Sequence, residues 1–243
     1  MSTRNPPVIY NEPMAYLNGI DRGKYVKTTF KHVAKHYVMM NHLMTLGMDI
    51  LLRQEVVRIA SPGKKDRVLD AGSGTGDLSR ALRKRCPSLE IHAADFSLEM
   101  MQAVEDWRGI QRCAADALSL PFDSDCFDIA LSGYLLRNVG DLNTALSEQY
   151  RVLKPGGQIV VLDMTRPRKN LLTPLIKLYF RLVIPALGKL FTGNREAYTY
   201  LIKSSENFVS AENLAEAMRS ARFRNVTYKI RMFGTMAIHI AVK

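Results

Sequence analysis

The chain has 243 residues, of which 47% are hydrophobic and 23% charged, a balance that is ordinary for a globular protein and excludes a disordered or fibrous chain. Its formal net charge of +11 favours an anionic partner (nucleic acid, acidic lipid or an acidic substrate), although a basic solvated surface would show the same sum. The three cysteines form no C-x-x-C pair and no apolar run is long enough to cross a bilayer, so we expect no disulfide framework, zinc site or transmembrane segment. The first residues carry no apolar signal core, and a cytoplasmic protein is therefore expected.

The N-terminal quarter of the chain predicts helices. Residues 1–25 contain three prolines and little periodicity and predict an irregular lead-in. From Tyr25 to about Ala60 apolar residues recur at intervals of three and four, as on one face of a helix. Gly47 is expected to separate two helices. We therefore predict an N-terminal helical cap over residues 1–60.

Strands and helices then alternate. Short apolar runs predict buried strands at 68–71, 91–95, 111–116, 127–132 and 158–164. Helical patterns lie between them at 78–84, 98–107 and 142–153, the last ending in Lys154-Pro-Gly-Gly as a helix stop. A final helix at 211–221 precedes two runs, 226–232 and 236–242, that predict a hairpin. The fold class is therefore α/β, with a doubly wound, mostly parallel seven-stranded sheet and a C-terminal antiparallel hairpin.

A glycine loop follows the first predicted strand. Asp70 precedes Gly72, Gly74 and Gly76, which alternate with Ser73 and Thr75 before a helix begins. Glycine lets a ligand lie directly on the backbone, and Thr75 offers a hydroxyl. The G-x-G-x-G spacing differs from the G-x-G-x-x-G dinucleotide fingerprint, and the chain lacks a G-x-x-x-x-G-K-[ST] phosphate loop. The loop resembles the first motif of class I S-adenosylmethionine-dependent methyltransferases.

Further cofactor candidates end the following strands. Asp95 ends the second strand, where a carboxylate can accept both hydroxyls of a ribose. Asp116 and Ala117 end the third strand and suit an adenine edge, and Gly133 ends the fourth. Alone, Asp95 could be a helix cap and Asp116 a turn former. Because ligands bind outside the carboxyl ends of the strands in such sheets, the set together predicts a nucleoside cofactor. The resemblance of the glycine loop implies S-adenosylmethionine rather than a nicotinamide cofactor.

Four segments carry a closer resemblance. They are Phe30–Asn41 with Leu43, Met44 and Gly47, the loop at 68–78, the pair Leu136–Val139 and Tyr150–Gly157, and Tyr198–Ser205. With these the sequence, over roughly residues 28–239, resembles the C-methyltransferases of ubiquinone and menaquinone biosynthesis. It departs from the family pattern at Val38, Gly133, Leu135 and Arg222, several of which lie near the expected pocket.

The resemblance implies a lipophilic, polyprenylated hydroquinol as methyl acceptor. This acceptor would be either demethylmenaquinol or a ubiquinol precursor. Arg137 and Asn138 follow the fourth strand, and Arg137 there could stabilise a developing phenolate or could pair with Asp141 or Asp163. Tyr37 could cover the cofactor or be a core residue, and His36 is a candidate base. No third metal ligand accompanies the histidines of that segment, so no metal site is expected.

Acceptor-binding candidates and a basic apolar region complete the prediction. Tyr134, Tyr198 and Tyr200 are expected to line the acceptor pocket. Residues 163–203 hold eight basic and two acidic residues, with Lys169, Thr173, Lys177 and Arg181 as a polar stripe on an otherwise apolar helix. Pro185 and Gly188 are expected to break that helix. It could be a lid or could lie on an anionic membrane surface, and the two roles are compatible.

We predict one methyltransferase domain over residues 1–243. A cofactor-binding core covers 67–165, a helical lid and acceptor insertion 166–208, and the last helix with the strand hairpin 209–243. Two alternatives stay open at this point: methylation of another small apolar acceptor on oxygen, nitrogen or carbon, and, more distantly, an RNA-binding methyltransferase. Basic residues interleaved with aliphatic rather than aromatic side chains disfavour a nucleic-acid partner.

Overall fold

The computed structural model describes residues 34–166, 172–193 and 195–243. It begins with a 3-10 turn at Ala34–His36, followed by helix α1 (Tyr37–Thr45) and helix α2 (Met48–Ala60). The expected break between the two helices is confirmed, because Leu46 and Gly47 both have left-handed backbone angles, with φ of 53° and 77°. The predicted lead-in and the residues 25–33 of the predicted helical segment lie outside the described residues.

The described strands form one mixed sheet. They are β1 (Arg67–Ala71), β2 (Glu90–Asp95), β3 (Ile110–Ala114), β4 (Phe127–Gly133), β5 (Leu153–Met164), β6 (Arg224–Arg231) and β7 (Met236–Val242). The seven described strands lie in the order β3-β2-β1-β4-β5-β7-β6. The first five are parallel, whereas β7 pairs antiparallel with both β5 and β6. The predicted fold class, including the C-terminal hairpin, is therefore confirmed.

Helices cover both faces of this sheet. On one face, α2 and helix α3 (Asp77–Arg85) bury Val56 and Leu82 against the strands. On the other, helix α5 (Leu142–Val152) and helix α9 (Ala211–Ser220) bury Leu146 and Met218. Parallel strands covered in this way need apolar residues on both sides, which is why β1, β4 and the second half of β5 are largely apolar. The carboxyl ends of β1, β2 and β4 are left open at one edge.

Three predicted boundaries are wrong. Helix α4 covers only Leu98–Gln102, because the chain turns back so that the Trp107 indole N–H donates to the carbonyls of Met101 and Val104, each at 2.9 Å. Strand β3 ends at Ala114 rather than at residue 116. Strand β5 begins at Leu153 and includes the Lys-Pro-Gly-Gly segment, which the sequence assigned to a helix stop before the strand.

After β5 the chain adds a helical insertion. Helix α6 (Thr173–Leu178), a π-helical turn (Tyr179–Val183) and helix α7 (Ile184–Thr192) run without interruption, and helix α8 (Arg195–Asn207) follows. The expected break at Pro185 and Gly188 is wrong. Pro185 sits in the first turn of α7, directly after the π-helical turn, and the helix continues through it. Gly188 provides the space in which the ring of Tyr198 packs.

Candidate functional site

A crevice lies at the carboxyl ends of β1, β2 and β4. Gly72, Gly74, Gly133 and the side chains of Tyr37 and Tyr134 line its centre. One end is lined by Arg53, Asp70, Ser73, Thr75, Asp77, Leu78 and Leu162. The other end is lined by Asp95, Phe96, Ser97, Met100, Leu135 and Asn138. The crevice thus has an apolar end with one carboxylate and a strongly polar end with several charges.

The glycines of the loop have different structural tasks. All three have positive φ, between 55° and 75°, which glycine adopts without the penalty of a side chain. A Cβ on Gly72 would lie 2.7 Å from the Leu135 side chain, and one on Gly76 would lie 2.5 Å from the Trp107 ring. A Cβ on Gly74 would meet only the Met100 methyl group, at 3.4 Å. Gly76 therefore serves packing, whereas Gly74 leaves the crevice itself open.

Asp95 holds the loop at the apolar end of the crevice. Its Oδ2 accepts a hydrogen bond from the Gly74 N–H at 2.7 Å, and its Oδ1 accepts one from the Ser97 N–H at 2.8 Å. Burial raises the pKa of this carboxyl above its usual value, and both backbone bonds oppose the rise. Each carboxylate oxygen has a second lone pair, so a ligand hydroxyl can still bind there.

Asp70 and Thr75 lie at the polar end. Asp70 is buried and accepts a hydrogen bond from the Ser79 hydroxyl at 2.5 Å. Burial raises the pKa of Asp70 to about 6, while its bonds to Ser79 oppose the rise. The Thr75 hydroxyl donates to Asp77 Oδ2 at 2.9 Å. Thr75 therefore fixes the loop to the start of α3, in addition to lining the crevice.

The residues that follow β3 lie elsewhere. Asp116 is exposed, and its Oδ1 accepts from the Leu118 N–H at 2.9 Å in a local turn. Ala117 is buried beside this turn. Neither is among the residues that line the crevice. The turn-forming alternative for Asp116 is the one the geometry displays.

A second cavity adjoins the crevice. Its walls come from α1, α2, the end of β4, the helical insertion and the hairpin. The lining residues are Tyr37, Asn41, Met44, Thr45, Asp49, Tyr134, Arg137, Met164, Phe180, Ile184, Leu201, Ile202, Met232, Thr235 and Met236. Most of them are apolar, as in pockets for small apolar molecules. Tyr37 and Tyr134 line this cavity and the crevice alike, so the two spaces meet at these rings.

Tyr134 is held under backbone strain at that junction. Its φ of 59° is left-handed, which is rare for a bulky residue and concentrates at functional sites. The guanidinium groups of Arg53 and Arg137 face its ring, with the Cζ atoms 5.7 and 5.5 Å from its centroid. Its hydroxyl contacts the Met236 sulfur at 3.6 Å. Burial raises the pKa of Tyr134 far above its usual value, so the phenol stays neutral.

Arg137 and Asn138 form a 3-10 turn with Leu136, directly after this tyrosine. The Arg137 guanidinium lines the cavity and lies 3.8 Å from Asp163 Oδ1, while its backbone N–H donates to Asp163 Oδ2 at 3.2 Å. The Asn138 amide donates to the Tyr134 carbonyl at 2.8 Å. Arg137 thus pairs with Asp163, one of the two predicted partners. Its guanidinium also lines the cavity.

Other predicted residues are placed away from the cavity wall. His36 ends the 3-10 turn before α1 and is not among the lining residues. Tyr198 is 1% exposed and packs on Gly188 between α7 and α8, and burial raises its pKa to about 12. Tyr200 belongs to α8, but its side chain lies outside the described part of the chain. Within the described ranges, no three His, Cys, Asp or Glu side chains group as metal ligands.

Sequence reasoning missed a buried charge cluster. On α2, Asp49 Oδ2 accepts from the Arg53 guanidinium at 2.5 Å, and that guanidinium lies 3.6 Å from Asp77 Oδ2. Asp49 lines the second cavity and Arg53 lines the crevice. The cluster therefore connects the two spaces. The only signal in the sequence was an Asp and an Arg four residues apart on a helix, a spacing that is common on exposed helices.

The charge pattern of the crevice suits an amino-acid nucleoside. The carboxylate of Asp95, beside Phe96 and Met100, suits the hydroxyls and apolar base of a nucleoside. At the other end, Arg53 suits a carboxylate and Asp70 suits an ammonium group. The open space over Gly74 allows the ligand to approach the backbone. The residues present therefore fit S-adenosylmethionine.

Comparison with known proteins bears on the family and the fold. The profile of the ubiE/COQ5 methyltransferase family matches residues 19–243. The chain is 40% identical over 227 residues to the ubiquinone/menaquinone biosynthesis C-methyltransferase UbiE of Desulfotalea psychrophila, covering 92% of each protein. It is 38% identical over 216 residues to the demethylmenaquinone methyltransferase of Thermus thermophilus, covering 87% of this chain and 98% of that protein.

Solved structures share the fold at low identity. A methyltransferase of Thermotoga maritima described as a possible histamine N-methyltransferase superposes with a TM-score of 0.63 at 22% identity, covering 89% of this chain and 99% of that one. Phosphoethanolamine N-methyltransferase 2 of Haemonchus contortus, in complex with S-adenosyl-L-methionine, superposes with a TM-score of 0.61 at 15% identity, covering 79% and 52%. These likenesses concern the fold.

Proposed function

The chain belongs to the ubiE/COQ5 methyltransferase family, and on this basis we propose that it transfers the methyl group of S-adenosylmethionine to a ring carbon of a prenylated hydroquinol in quinone biosynthesis. The observation that carries the proposal is the apolar cavity that meets the crevice at Tyr37 and Tyr134. A cofactor in the crevice and an aromatic acceptor in the cavity would be held in contact and away from water. Alignment of this kind can contribute roughly 7–11 kcal/mol in favourable intramolecular systems.

In this proposal the chain's residues hold the cofactor by its two polar ends. Asp95 accepts the ribose hydroxyls, Arg53 binds the carboxylate, and Asp70 in its ionised form binds the ammonium group. S-adenosylmethionine supplies a methyl group already activated by a positive sulfur, so little chemical activation is left to the protein. Gly74 keeps the loop close to the ligand without a side chain in between.

The cavity residues then activate the acceptor. A hydroquinol ring carbon becomes more nucleophilic as the neighbouring phenol oxygen gains negative charge. Arg137, buried at the cavity wall beside Asp163, stabilises that charge in a site with little water. The rings of Tyr37 and Tyr134, with Met164, Phe180 and Ile184, supply apolar contact to the quinol ring.

We further propose that the helical insertion docks on an anionic membrane surface at the cytoplasmic face. Between Leu172 and Gly193 the chain has no acidic residue, whereas Lys177, Arg181 and Lys189 are exposed. Large apolar side chains are exposed beside them: Leu172, Leu175, Leu178, Leu182, Val183, Leu190 and Phe191. Apolar contact and attraction to anionic lipids add in such a helix.

The exposed apolar surface continues onto the N-terminal helices. Leu46 is 83% exposed at the end of α1, and Ile50 and Leu51 are exposed on α2. The Tyr179 hydroxyl donates to the Met44 carbonyl at 3.3 Å and joins the two regions. Met44, Phe180 and Ile184 of the same regions line the acceptor cavity. A prenyl tail would therefore pass from the cavity into the lipid. Within the ranges that the structure describes, no helix is long and apolar enough to cross a bilayer.

The enzyme activity is tested with labelled S-adenosylmethionine and a panel of reduced demethylated quinones. We expect label in the ring methyl group of at least one quinol. The purified chain incubated with aromatic acceptors that lack a hydroquinol ring serves as the control. Label transfer to such an acceptor and to none of the quinols would refute the proposed substrate class.

Membrane docking is tested by flotation with vesicles that contain anionic lipid. We expect the double variant Lys177→Glu, Arg181→Glu to float far less than the wild-type chain, because two attractive charges become repulsive. The matched control is Lys84→Glu, Arg85→Glu on α3, where two exposed basic residues change in the same way on another surface. Equal recovery of the wild type and the first double variant would contradict docking through the insertion.

A further inference from the structure

Methylation of an aromatic ring carbon must dispose of a proton. The ring C–H bond is replaced by a C–C bond, and the hydrogen leaves as H⁺, one for each turnover. The acceptor cavity is mostly apolar, so a proton set free there needs a base and a path to water. The path of this proton rests on the proposed quinol methylation, and the side chains of the cavity wall are the groups that can carry it away.

Four titratable side chains line the acceptor cavity in the described part of the chain: Tyr37, Asp49, Tyr134 and Arg137. Arginine remains protonated in proteins and accepts no further proton. Tyrosine phenols are neutral at physiological pH, and burial raises the pKa of Tyr134 further. Among these four, Asp49 is the group that carries a negative charge and can accept a proton.

Asp49 is connected to the solvent through one side chain. It is 1% exposed, and its two carboxylate oxygens lie 2.8 and 2.9 Å from Nδ1 of His42. The His42 side chain is 39% exposed. An imidazole between a buried carboxylate and water is the usual arrangement of a proton shuttle, because its two nitrogens can take up and release protons on opposite sides.

We propose that Asp49 and His42 form a proton-exit relay for the acceptor cavity. The proton that becomes acidic as the methyl group bonds to the ring moves from the acceptor to an Asp49 oxygen. Once protonated, Asp49 no longer needs the Nδ1–H of His42, and the solvent-facing imidazole exchanges that hydrogen through water so that it is carried on Nε2. The free Nδ1 then takes the proton from Asp49, and the resulting imidazolium loses its Nε2 hydrogen to water. Asp49 and His42 end in the charge states in which they began, and no electrons are exchanged. Asp49 is the residue that contacts the acceptor, and His42 acts through it.

The surroundings of Asp49 favour passing the proton on rather than holding it. Burial acts to raise the pKa of this carboxyl, but the hydrogen bond from His42, the charge of Arg53 and the hydrogen bond from Thr45 outweigh burial, so the pKa lies below its usual value. The other charged or titratable groups of the cluster are Asp77, beyond Arg53, and the phenols of Tyr37 and Tyr134. A ring that has just gained a methyl group is a much stronger acid than a carboxylic acid, so Asp49 accepts its proton and then gives it up readily.

The relay is tested by comparing His42→Gln with the wild-type chain in steady-state methylation of a reduced demethylated quinone. Glutamine can keep a hydrogen bond to Asp49 but cannot take up and release a proton. We expect kcat to fall about 10- to 100-fold, less than the roughly 10²- to 10⁴-fold that a directly acting acid–base group contributes, because His42 acts through Asp49. In His42→Ala, which leaves that position empty, millimolar imidazole is expected to restore at least a third of the lost rate, because the position of His42 is open to solvent. S-adenosylhomocysteine affinity, measured by calorimetry, should stay within threefold.

Two further variants complete the experiment. Asp49→Asn should lose activity to the same extent, but imidazole should not rescue it, since the lost group is buried. Glu216→Gln, an exposed carboxylate on α9, makes the same chemical change elsewhere and should keep full activity. A His42→Gln kcat within twofold of the wild type, or a His42→Ala loss that imidazole leaves unchanged, would overturn the relay while wild-type quinol methylation stands. Absence of wild-type quinol methylation would overturn both the relay and the proposed function.

Discussion

Asp95 combines a structural and a proposed binding task in one carboxylate. We expect Asp95→Asn to weaken S-adenosylhomocysteine binding about 10- to 100-fold, since a hydrogen bond to a charged group contributes about 1.5–3 kcal/mol. Asparagine keeps one oxygen for the N–H of Gly74 or Ser97, so the loop changes less than with alanine. Isothermal titration calorimetry measures the affinity. The control is Asp106→Asn, an exposed carboxylate paired with Arg108; unchanged affinity in Asp95→Asn would refute the ribose assignment.

If Asp70 binds the ammonium group as proposed, cofactor affinity depends on pH. Burial raises its pKa to about 6, so in the empty protein the neutral form favours folding at low pH, and this contribution is lost as the pH rises through 6. A bound ammonium group needs the ionised form. We therefore expect S-adenosylhomocysteine affinity to increase as the pH rises from 5 to 7. Calorimetry across this range checks it, and Asp70→Asn should bind more weakly and without this slope. A wild-type affinity that is flat between pH 5 and 7 would contradict the assignment.

The site residues that could be predicted from the sequence are those that lie at the ends of strands. Asp70, Gly74 and Asp95 lie at or just after the ends of strands, and parallel strands bring their carboxyl ends to one edge. Asp49 and Arg53 could not be found in this way. Their importance depends on which side of α2 faces the crevice, and that is decided by packing of the helix against distant residues. Tyr198 was predicted to line the acceptor pocket, but its ring packs on Gly188 instead. An aromatic residue near a pocket can equally fill a space left by a glycine.

At the scale of elements, we expect one glycine of the loop to serve the stability of the protein and another to serve cofactor binding. We expect Gly76→Ala to destabilise the protein by about 2–4 kcal/mol, because the residue has φ of 75° and its Cβ would lie 2.5 Å from the Trp107 ring. We expect Gly74→Ala to cost only the backbone penalty, about 1–2 kcal/mol, and mainly to reduce cofactor binding. Thermal unfolding and calorimetry of both variants check this contrast. Equal melting temperatures for the two variants would contradict it.

The sequence predicted which elements exist better than where they end. Apolar runs placed the buried strands, because a strand buried on both faces needs apolar residues on both, whereas the β-α alternation and the hairpin pattern placed the more exposed β3 and β6. The end of α4 depends instead on Trp107, whose indole N–H donates to the carbonyl of Met101 in that helix and to that of Val104 just beyond it. The uninterrupted insertion depends on a π-helical turn ahead of Pro185. Both are tertiary solutions that local residue preferences do not reveal.

At the scale of the whole molecule, the acceptor cavity and the proposed membrane surface are one arrangement. The cavity is walled by the same α1 and insertion segments whose outward side chains are apolar and exposed. The reacting ring would be withdrawn from the lipid while its tail remains there, so the protein need bind only the ring. The enzyme on the membrane surface and the prenyl tail of the acceptor would then share one lipid phase. Affinity for the acceptor would come largely from this raised local concentration.

This arrangement gives a prediction about tail length. We expect anionic vesicles to raise kcat/KM at least 10-fold for a quinol with a long prenyl tail, because enzyme and acceptor then meet on the same surface. A tail-less demethylated naphthoquinol, which enters the cavity from water, should show less than a twofold change. The variant Lys177→Glu, Arg181→Glu should lose the vesicle effect for the long-tailed quinol and keep its rate on the tail-less one. Equal stimulation of both acceptors would mean that the membrane activates the enzyme itself, and would contradict delivery through the insertion.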